Sequence, residues 1–174
     1  MENNKETENK KGGAAGTETG SKIDEIVQLV TFKLGNEEFA LDILKVQEIN
    51  RMVEITKVPK APDFVEGVIN LRGRVIPIVD IRKKFHLNIK EATKETRIIV
   101  VNIMNKTIGL IVDSVSEVLR INSSTIQPPP PLIAGLDSDY IKGVGKLDER
   151  LIILLDIDKI FTTGEHKLIE GMIK

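Results

Sequence analysis

The sequence predicts an all-β protein built from two copies of one small unit. The main observation is an internal repeat: residues 67–85 match residues 143–161 without a gap, and nine of the 19 positions are identical. A match at one fixed offset indicates two copies of a structural unit. The core must be built from Ile, Val and Leu, because aromatic residues make up only 3% of the chain, and β-branched residues favour strands. Short, numerous strands suggest closed barrels, which remove exposed edges.

The first copy predicts five short strands and a helical turn. Alternating apolar residues place strands at 28–34 and 39–43, and Gly35-Asn36 between them indicates a hairpin. The remaining elements of this copy are expected as strands at 46–49, 67–71 and 75–81 and a helical turn at 80–85.

The second copy repeats this order with a longer connection. Strands are expected at 97–104, 108–112 and 115–119, where the offset to the first copy is 69, before the repeat at 143–161 with its offset of 76. The seven extra residues fall around the proline run at 128–131, which we expect to be a stiff loop. Helical spacing at 168–173 predicts a closing C-terminal helix.

The composition changes sharply near residue 22. Residues 1–22 have almost no large apolar side chain and are expected to form a disordered tail. We expect one domain over residues 23–174, with barrel-like repeats at about 29–85 and 97–161 that share one core.

The amino-acid composition and the net charge exclude several classes of function. The chain has no cysteine, so disulfides, thiol catalysis and cysteine-built zinc sites are excluded. A net charge of −1 gives no reason to expect nucleic acid. No run approaches the roughly 20 apolar residues of a membrane helix, so a cytoplasmic protein without direct membrane insertion is expected.

Catalytic chemistry has little support. His86 and His166 have no second ligand at metal-binding spacing, and we expect both at the surface. Asp80 and Asp156 occupy the same place in the two copies, before a helical turn, where aspartate caps well. No catalytic residue, metal or cofactor is therefore expected.

The repeat also provides an internal control for recognition residues. Arg72 is matched by Asp148 and Asn70 by Lys146, so the fold tolerates either charge at the first of these positions. Arg72 and Asn70 are therefore candidates for contact with a partner, against the alternative of ordinary surface drift.

Residues 66–80, EGVINLRGRVIPIVD, closely resemble the signature of the CheW family of bacterial chemotaxis coupling proteins. Further matches at 40–43, 46–49 and 151–157 occur in the family's order. The resemblance implies two intertwined SH3-like five-stranded barrels around a shared core, and a non-enzymatic adaptor. Its expected partners are the regulatory domain of the histidine kinase CheA and the cytoplasmic tip of methyl-accepting chemoreceptors, in membrane-associated arrays.

The resemblance also implies where a receptor would bind, at the junction of the barrels. The candidate receptor-binding residues are Arg72, Glu48, Val46, Gly67, Asn70 and Gly109. Glu48 is expected to be either a neighbour of Arg72 or its competitor for a receptor group, and kinase-binding residues are not assigned. Two alternatives are a similar adaptor in another motility pathway and a small barrel enzyme or ligand-binding protein.

Overall fold

The structure, a computed structural model, describes residues 25–129 and 138–172. The described ranges contain these helices and strands in chain order: β1 (Ile26–Leu34), β2 (Glu37–Asp42), β3 (Val46–Arg51), β4 (Val65–Leu71), β5 (Arg74–Asp80), α1 (Ile81–Lys84), β6 (Arg97–Ile103), β7 (Lys106–Val112), β8 (Ser114–Asn122), β9 (Ile126–Gln127), β10 (Ile141–Leu147), β11 (Arg150–Leu155) and α2 (Thr163–Gly171). The all-β class and the C-terminal helix are confirmed. The expected tail and part of the proline run lie outside the described residues.

Each of the two sheets takes strands from both sequence copies. The sheet with the order β3-β6-β7-β5-β4 is called the first barrel, and the sheet with the order β8-β1-β2-β11-β10-β9 the second barrel. The hairpin β1–β2 thus lies in the second barrel, and its counterpart β6–β7 lies in the first. Sequence copy and barrel therefore do not coincide, because each barrel is completed by a hairpin from the other half.

The two exchanged hairpins are held in the same register. Ala40 of β2 pairs with Leu154 of β11 in parallel, and Gly109 of β7 pairs with Ile78 of β5 in parallel. These are the matched positions of the two copies, at the offsets of 69 and 76. The repeat is therefore a pseudo-twofold arrangement in which the halves exchange equivalent elements.

Each barrel is closed by the chain that follows an edge strand. In the first barrel, Thr56 exchanges two backbone hydrogen bonds with Val68 of β4, at 2.9 and 2.8 Å. In the second, Gln127 of the two-residue strand β9 pairs with Val144 of β10. Val68 and Val144 are matched in the repeat, so both barrels close at the same point, and β9 gives the second sheet its sixth strand.

The closures explain the glycine that begins both repeats. A Cβ on Gly67 would lie 2.1 Å from the Thr56 carbonyl oxygen, and Gly67 has a φ of +150°. A Cβ on Gly143 would lie 2.8 Å from the Gln127 carbonyl oxygen. Both glycines permit a backbone approach that any side chain would block.

Three apolar clusters stabilise this arrangement. One fills the first barrel and includes Ile76, Ile78 and Ile98; a second fills the other barrel and includes Leu29 and Leu154. The largest draws its residues from both barrels, among them the following buried side chains: Phe32, Phe39, Val79, Ile99, Leu110 and Ile153. Each fully buried side chain of this kind stabilises the fold by about 1.5–3 kcal/mol. Because this cluster takes side chains from both barrels, the barrels share one core.

Asp80, the last residue of β5, and Asp156, which follows β11, are caps, as their repeated position indicates. The Asp80 carboxylate accepts the backbone N–H of Arg82 at 2.9 Å, and the Asp156 carboxylate accepts that of Asp158 at 3.2 Å. Burial raises the pKa of Asp80. Both carboxylates are engaged locally, in different halves of the molecule, and they do not form an acid–base pair.

Helix α2 begins with a capping box. Thr162 and Glu165 exchange side-chain to backbone hydrogen bonds, and Lys84 of α1 donates to Glu165 at 2.8 Å. The surface expectation for His166 is wrong: its side chain packs edge-on against Phe161 and is only 7% exposed. The helix turns this histidine inward beside Ile169, because positions three apart share a face.

We expect alanine substitutions at the two closure glycines to destabilise the fold, Gly67→Ala more than Gly143→Ala. Gly67→Ala should lower the free energy of unfolding by roughly 3 kcal/mol, because it meets both a backbone clash and an unfavourable φ. Gly143→Ala should lower the free energy of unfolding by less, because only the close approach of the Gln127 backbone opposes the new Cβ. Gly171→Ala is the control, because a Cβ there meets nothing within 4 Å. Urea denaturation measures the order; equal effects for all three variants would refute the closure role.

His166 should make stability depend on pH. Burial, reinforced by the charge of Lys106, lowers the pKa of His166 below its ordinary value. Between the folded and unfolded pKa values the unfolded chain binds more protons, so stability falls as pH drops below about 6.5. Urea denaturation from about pH 8 to about pH 5 should show this fall in the wild type and in the exposed-site control His86→Asn. His166→Phe should remove most of this fall in stability. An unchanged pH dependence in His166→Phe would contradict its assignment to His166.

Candidate functional site: the rim of the first barrel

Arg72 lies at the tip of the hairpin between β4 and β5. Leu71 pairs with Arg74, so Arg72 and Gly73 form a two-residue loop, with φ values of +54° and +83°. This is the geometry of a type I′ turn, which favours Asn or Gly at both positions. The Asn70 side chain supports the loop by accepting the Gly73 N–H at 2.9 Å. The turn geometry therefore accounts for Asn70 and Gly73, whereas its left-handed backbone disfavours an arginine at position 72.

The Arg72 guanidinium forms a bidentate ion pair with Glu48 of β3. Its two terminal nitrogens donate to the two carboxylate oxygens at 2.7 and 2.8 Å. This hydrogen bonding lowers the pKa of Glu48 and raises the pKa of Arg72. The Arg72 side chain remains 72% exposed while that of Glu48 is 23% exposed. An exposed pair adds little stability, but it orients the guanidinium at the surface.

The closure of the first barrel brings these residues together. Strands β3 and β4 lie at opposite ends of the sheet order, and the Thr56–Val68 bridge joins them. Glu48 on β3 can then reach the tip of the β4–β5 hairpin. We call the group formed by Glu48, Asn70, Arg72 and Gly73 the first rim.

The other three candidate residues belong to the strands and the core rather than to the first rim. Val46 is half-buried and packs against the shared core. Gly67 is buried at the closure, and Gly109 is buried where a Cβ would lie 2.6 Å from the Ile78 side chain and 2.8 Å from that of Ile98. The two glycines thus have structural requirements of their own, and neither presents a side chain to a partner.

A groove beside the first rim was not anticipated from the sequence. It has a volume of about 550 Å³, and its walls come from the chain after β3 and from β4: Asn50, Arg51, Val53, Glu54, Thr56, Ile69, Asn70 and Leu71. The Asn50 side-chain nitrogen is buried, and hydrogen bonding from Asn50 contributes to the lowered pKa of Glu48. Residues 50–56 have no periodic pattern, so only the closure onto β4 reveals the groove.

Two aspartates beside strand ends are engaged in local structure. Among the described residues, no group of three or more His, Asp or Glu side chains could hold a metal ion. Asp42 and Asp113 are tied into local structure, the first by capping Leu44 and the second by Arg82 and the Gly35 N–H. Within residues 25–129 and 138–172, no helix is long and apolar enough to cross a bilayer.

Comparison with known proteins places this architecture in one family. The family model described as the CheW-like domain matches residues 28–165. The chain is 40% identical to the chemotaxis protein CheW of Klebsiella aerogenes, over 92% of this chain and 98% of that one, and 38% identical to CheW of Thermotoga maritima, over 76% and 86%.

A solved structure agrees in both fold and sequence. The crystal structure of the scaffolding protein TtCheW from Thermoanaerobacter tengcongensis matches with a TM-score of 0.75 and 39% identity, covering 81% of this chain and 96% of that one. The family match spans most of the chain, and the paired barrels are the fold that the motifs around Arg72 imply. This chain belongs to the CheW-like domain family.

Proposed function

We propose that this protein is a non-enzymatic chemotaxis adaptor. It couples the cytoplasmic tip of methyl-accepting chemoreceptors to the regulatory domain of the histidine kinase CheA, helps to assemble signalling arrays, and transmits receptor control of the kinase. It acts in the cytoplasm, at membrane-associated arrays. Its membership of a family whose relatives are named for chemotaxis and scaffolding supports this role.

Arg72 carries the proposal, because the fold does not account for it. A left-handed backbone position disfavours a long side chain, and the same position of the second copy holds Asp148 with a φ of +53°. The guanidinium is nevertheless exposed and held in one orientation by Glu48. A preorganised, accessible arginine is well suited to a carboxylate or amide oxygen on a partner.

The groove beside the first rim supports a protein partner. It offers the apolar side chains of Val53 and Leu71 next to Asn50, above the buried Ile69. Apolar anchors beside an arginine are the usual composition of an interface centre. We therefore propose that the receptor tip lies across the first rim and this groove. In this proposal Arg72, Glu48 and Asn70 contact the receptor, and Val46, Gly67 and Gly109 act through the shape of β3 and of the barrel.

Arg72→Glu should weaken receptor binding without unfolding the protein. We expect the affinity for a cytoplasmic hairpin fragment of a chemoreceptor to fall roughly tenfold or more, because the charge at the first rim is reversed. The melting temperature should stay close to that of the wild type, since Asp148 shows that an acid fits this turn. Titration of the isotopically labelled protein by NMR measures both the affinity and the contact surface.

The matched control is Lys146→Glu, which changes the net charge equally but lies on β10 of the second barrel. It should bind the receptor fragment as the wild type does. Equal losses in both variants would show a general effect of net charge, and full binding by Arg72→Glu would remove the receptor contact from the first rim.

Glu48→Gln distinguishes the two roles open to Glu48. If Glu48 orients Arg72, loss of its charge should weaken receptor binding by a factor of about 2–5, less than Arg72→Glu does. The NMR titration gives the ratio. Stronger binding by Glu48→Gln would show instead that Glu48 competes with the receptor for Arg72.

A further inference from the structure

Within the described ranges, the chain passes between the two barrels at two points. It leaves the second barrel through Ile43–Lys45, between β2 and β3, and it returns through Asp113, between β7 and β8. The two crossings occupy matched places in the sequence copies, where the offset is 69. The start of the strand after each crossing therefore depends on how that crossing is held.

An ion pair ties each crossing to the helical turn of the barrel that the chain is leaving. Lys45 donates to Asp158 at 2.8 Å, in the turn that follows β11 of the second barrel. Arg82 of α1, which follows β5 of the first barrel, donates from Nε to Asp113 at 2.8 Å. Asp158 is the repeat counterpart of Arg82, at the offset of 76. The two copies thus keep an ion pair at this place while the sign of its residues is exchanged.

The two pairs differ in how completely the protein encloses them. The side chains of Arg82 and Asp113 are 11% and 12% exposed, and Asp113 also accepts the Gly35 N–H at 2.7 Å. Those of Lys45 and Asp158 are 42% and 37% exposed. The second carboxylate oxygen of Asp158, Oδ1, is buried and has no hydrogen-bond partner among the described residues. A half-exposed pair of this kind adds little stability, so the fold should tolerate its loss.

The Lys45–Asp158 pair lies at the start of the strand that carries two of the receptor candidates. Lys45 directly precedes Val46, and β3 also carries Glu48, which orients Arg72. In the described part of the chain β3 forms a ladder only with β6, and the register shifts between Val46 and Glu48. Because the ladder is irregular there and lies on one side only, the start of β3 depends on its anchor at Lys45.

We propose that Lys45 and Asp158 are positioning residues for the receptor-binding site. Their ion pair fixes the start of β3 against the second barrel, and it thereby sets where Glu48 holds the Arg72 guanidinium. This inference rests on the proposed function. It makes the receptor affinity depend on Asp158, a residue of the second barrel, although the first rim belongs to the first barrel.

Asp158→Asn is the discriminating variant, because it removes the ion pair and leaves Lys45 in place. The affinity of the full chain for a cytoplasmic hairpin fragment of a chemoreceptor should fall roughly 3- to 10-fold. If Lys45 contacted the receptor directly, this change would free its ammonium group and would not weaken binding. Lys45→Met should cause the same loss as Asp158→Asn. The double variant should lose no more than either single variant, because both act through one interaction, and isothermal titration calorimetry measures all three affinities.

Lys159→Met is the matched control, because it also removes a cation from the turn that carries Asp158. The Lys159 side chain is 67% exposed and lies 4.0 Å from Asp156, so this variant should bind as the wild type does. In NMR spectra of the free protein, Asp158→Asn should shift the backbone amide signals of Val46 and Glu48, and Lys159→Met should leave them in place. A pair that served stability alone would lower the melting temperature without moving these signals.

Wild-type affinity in Asp158→Asn, or additive losses in the double variant, would overturn the positioning role. If Arg72→Glu loses receptor binding in the same experiment, the proposed function stands and only this inference fails. If the wild-type protein binds no receptor fragment, the proposed function fails. Unshifted signals of Val46 and Glu48 in Asp158→Asn would overturn the positioning role independently of any partner.

Discussion

The close approach of two backbone segments over a glycine is the constraint on which the rest of the structure depends. The Thr56 carbonyl would lie 2.1 Å from a Cβ on Gly67, so the first barrel can close only with glycine at this position. Closure places β3 beside β4, and only then can Glu48 reach Arg72. The groove beside the first rim is formed by the same crossing chain. The recognition surface is thus a consequence of how the barrel closes.

The exchange of hairpins makes the two barrels one mechanical unit. Neither half of the chain contains a complete barrel, because β1–β2 and β6–β7 each lie in the sheet of the other half. The largest apolar cluster also draws on both halves. Separating the barrels would therefore expose the shared core and break two parallel strand pairings. An adaptor gains from this, because surfaces on different barrels keep a fixed spacing and orientation when partners bind.

The sequence pattern revealed what is local, whereas pairing between the halves was expected only from the family resemblance, as intertwined barrels. Alternation and turn residues located β1 to β8 to within a few residues, and the repeated Asp80 and Asp156 indicated the caps. The hairpin exchange was not predictable from pattern, because an alternating strand pairs equally well within a copy or between copies. The same limit hid the Thr56 closure and the adjacent groove. The burial of His166 was missed because its partner surface, around Phe161, forms only in the folded core.

The duplication also separates what the fold requires from what recognition requires. Gly67 and Gly143 agree because both barrels need the same closure, and Asp80 and Asp156 agree because both need the same cap. Arg72 and Asp148 disagree although their backbones are alike, so the backbone sets no requirement for the charge there. The charge at the hairpin tip is therefore free to serve recognition, whereas the closure glycine and the capping aspartate are fixed by the fold.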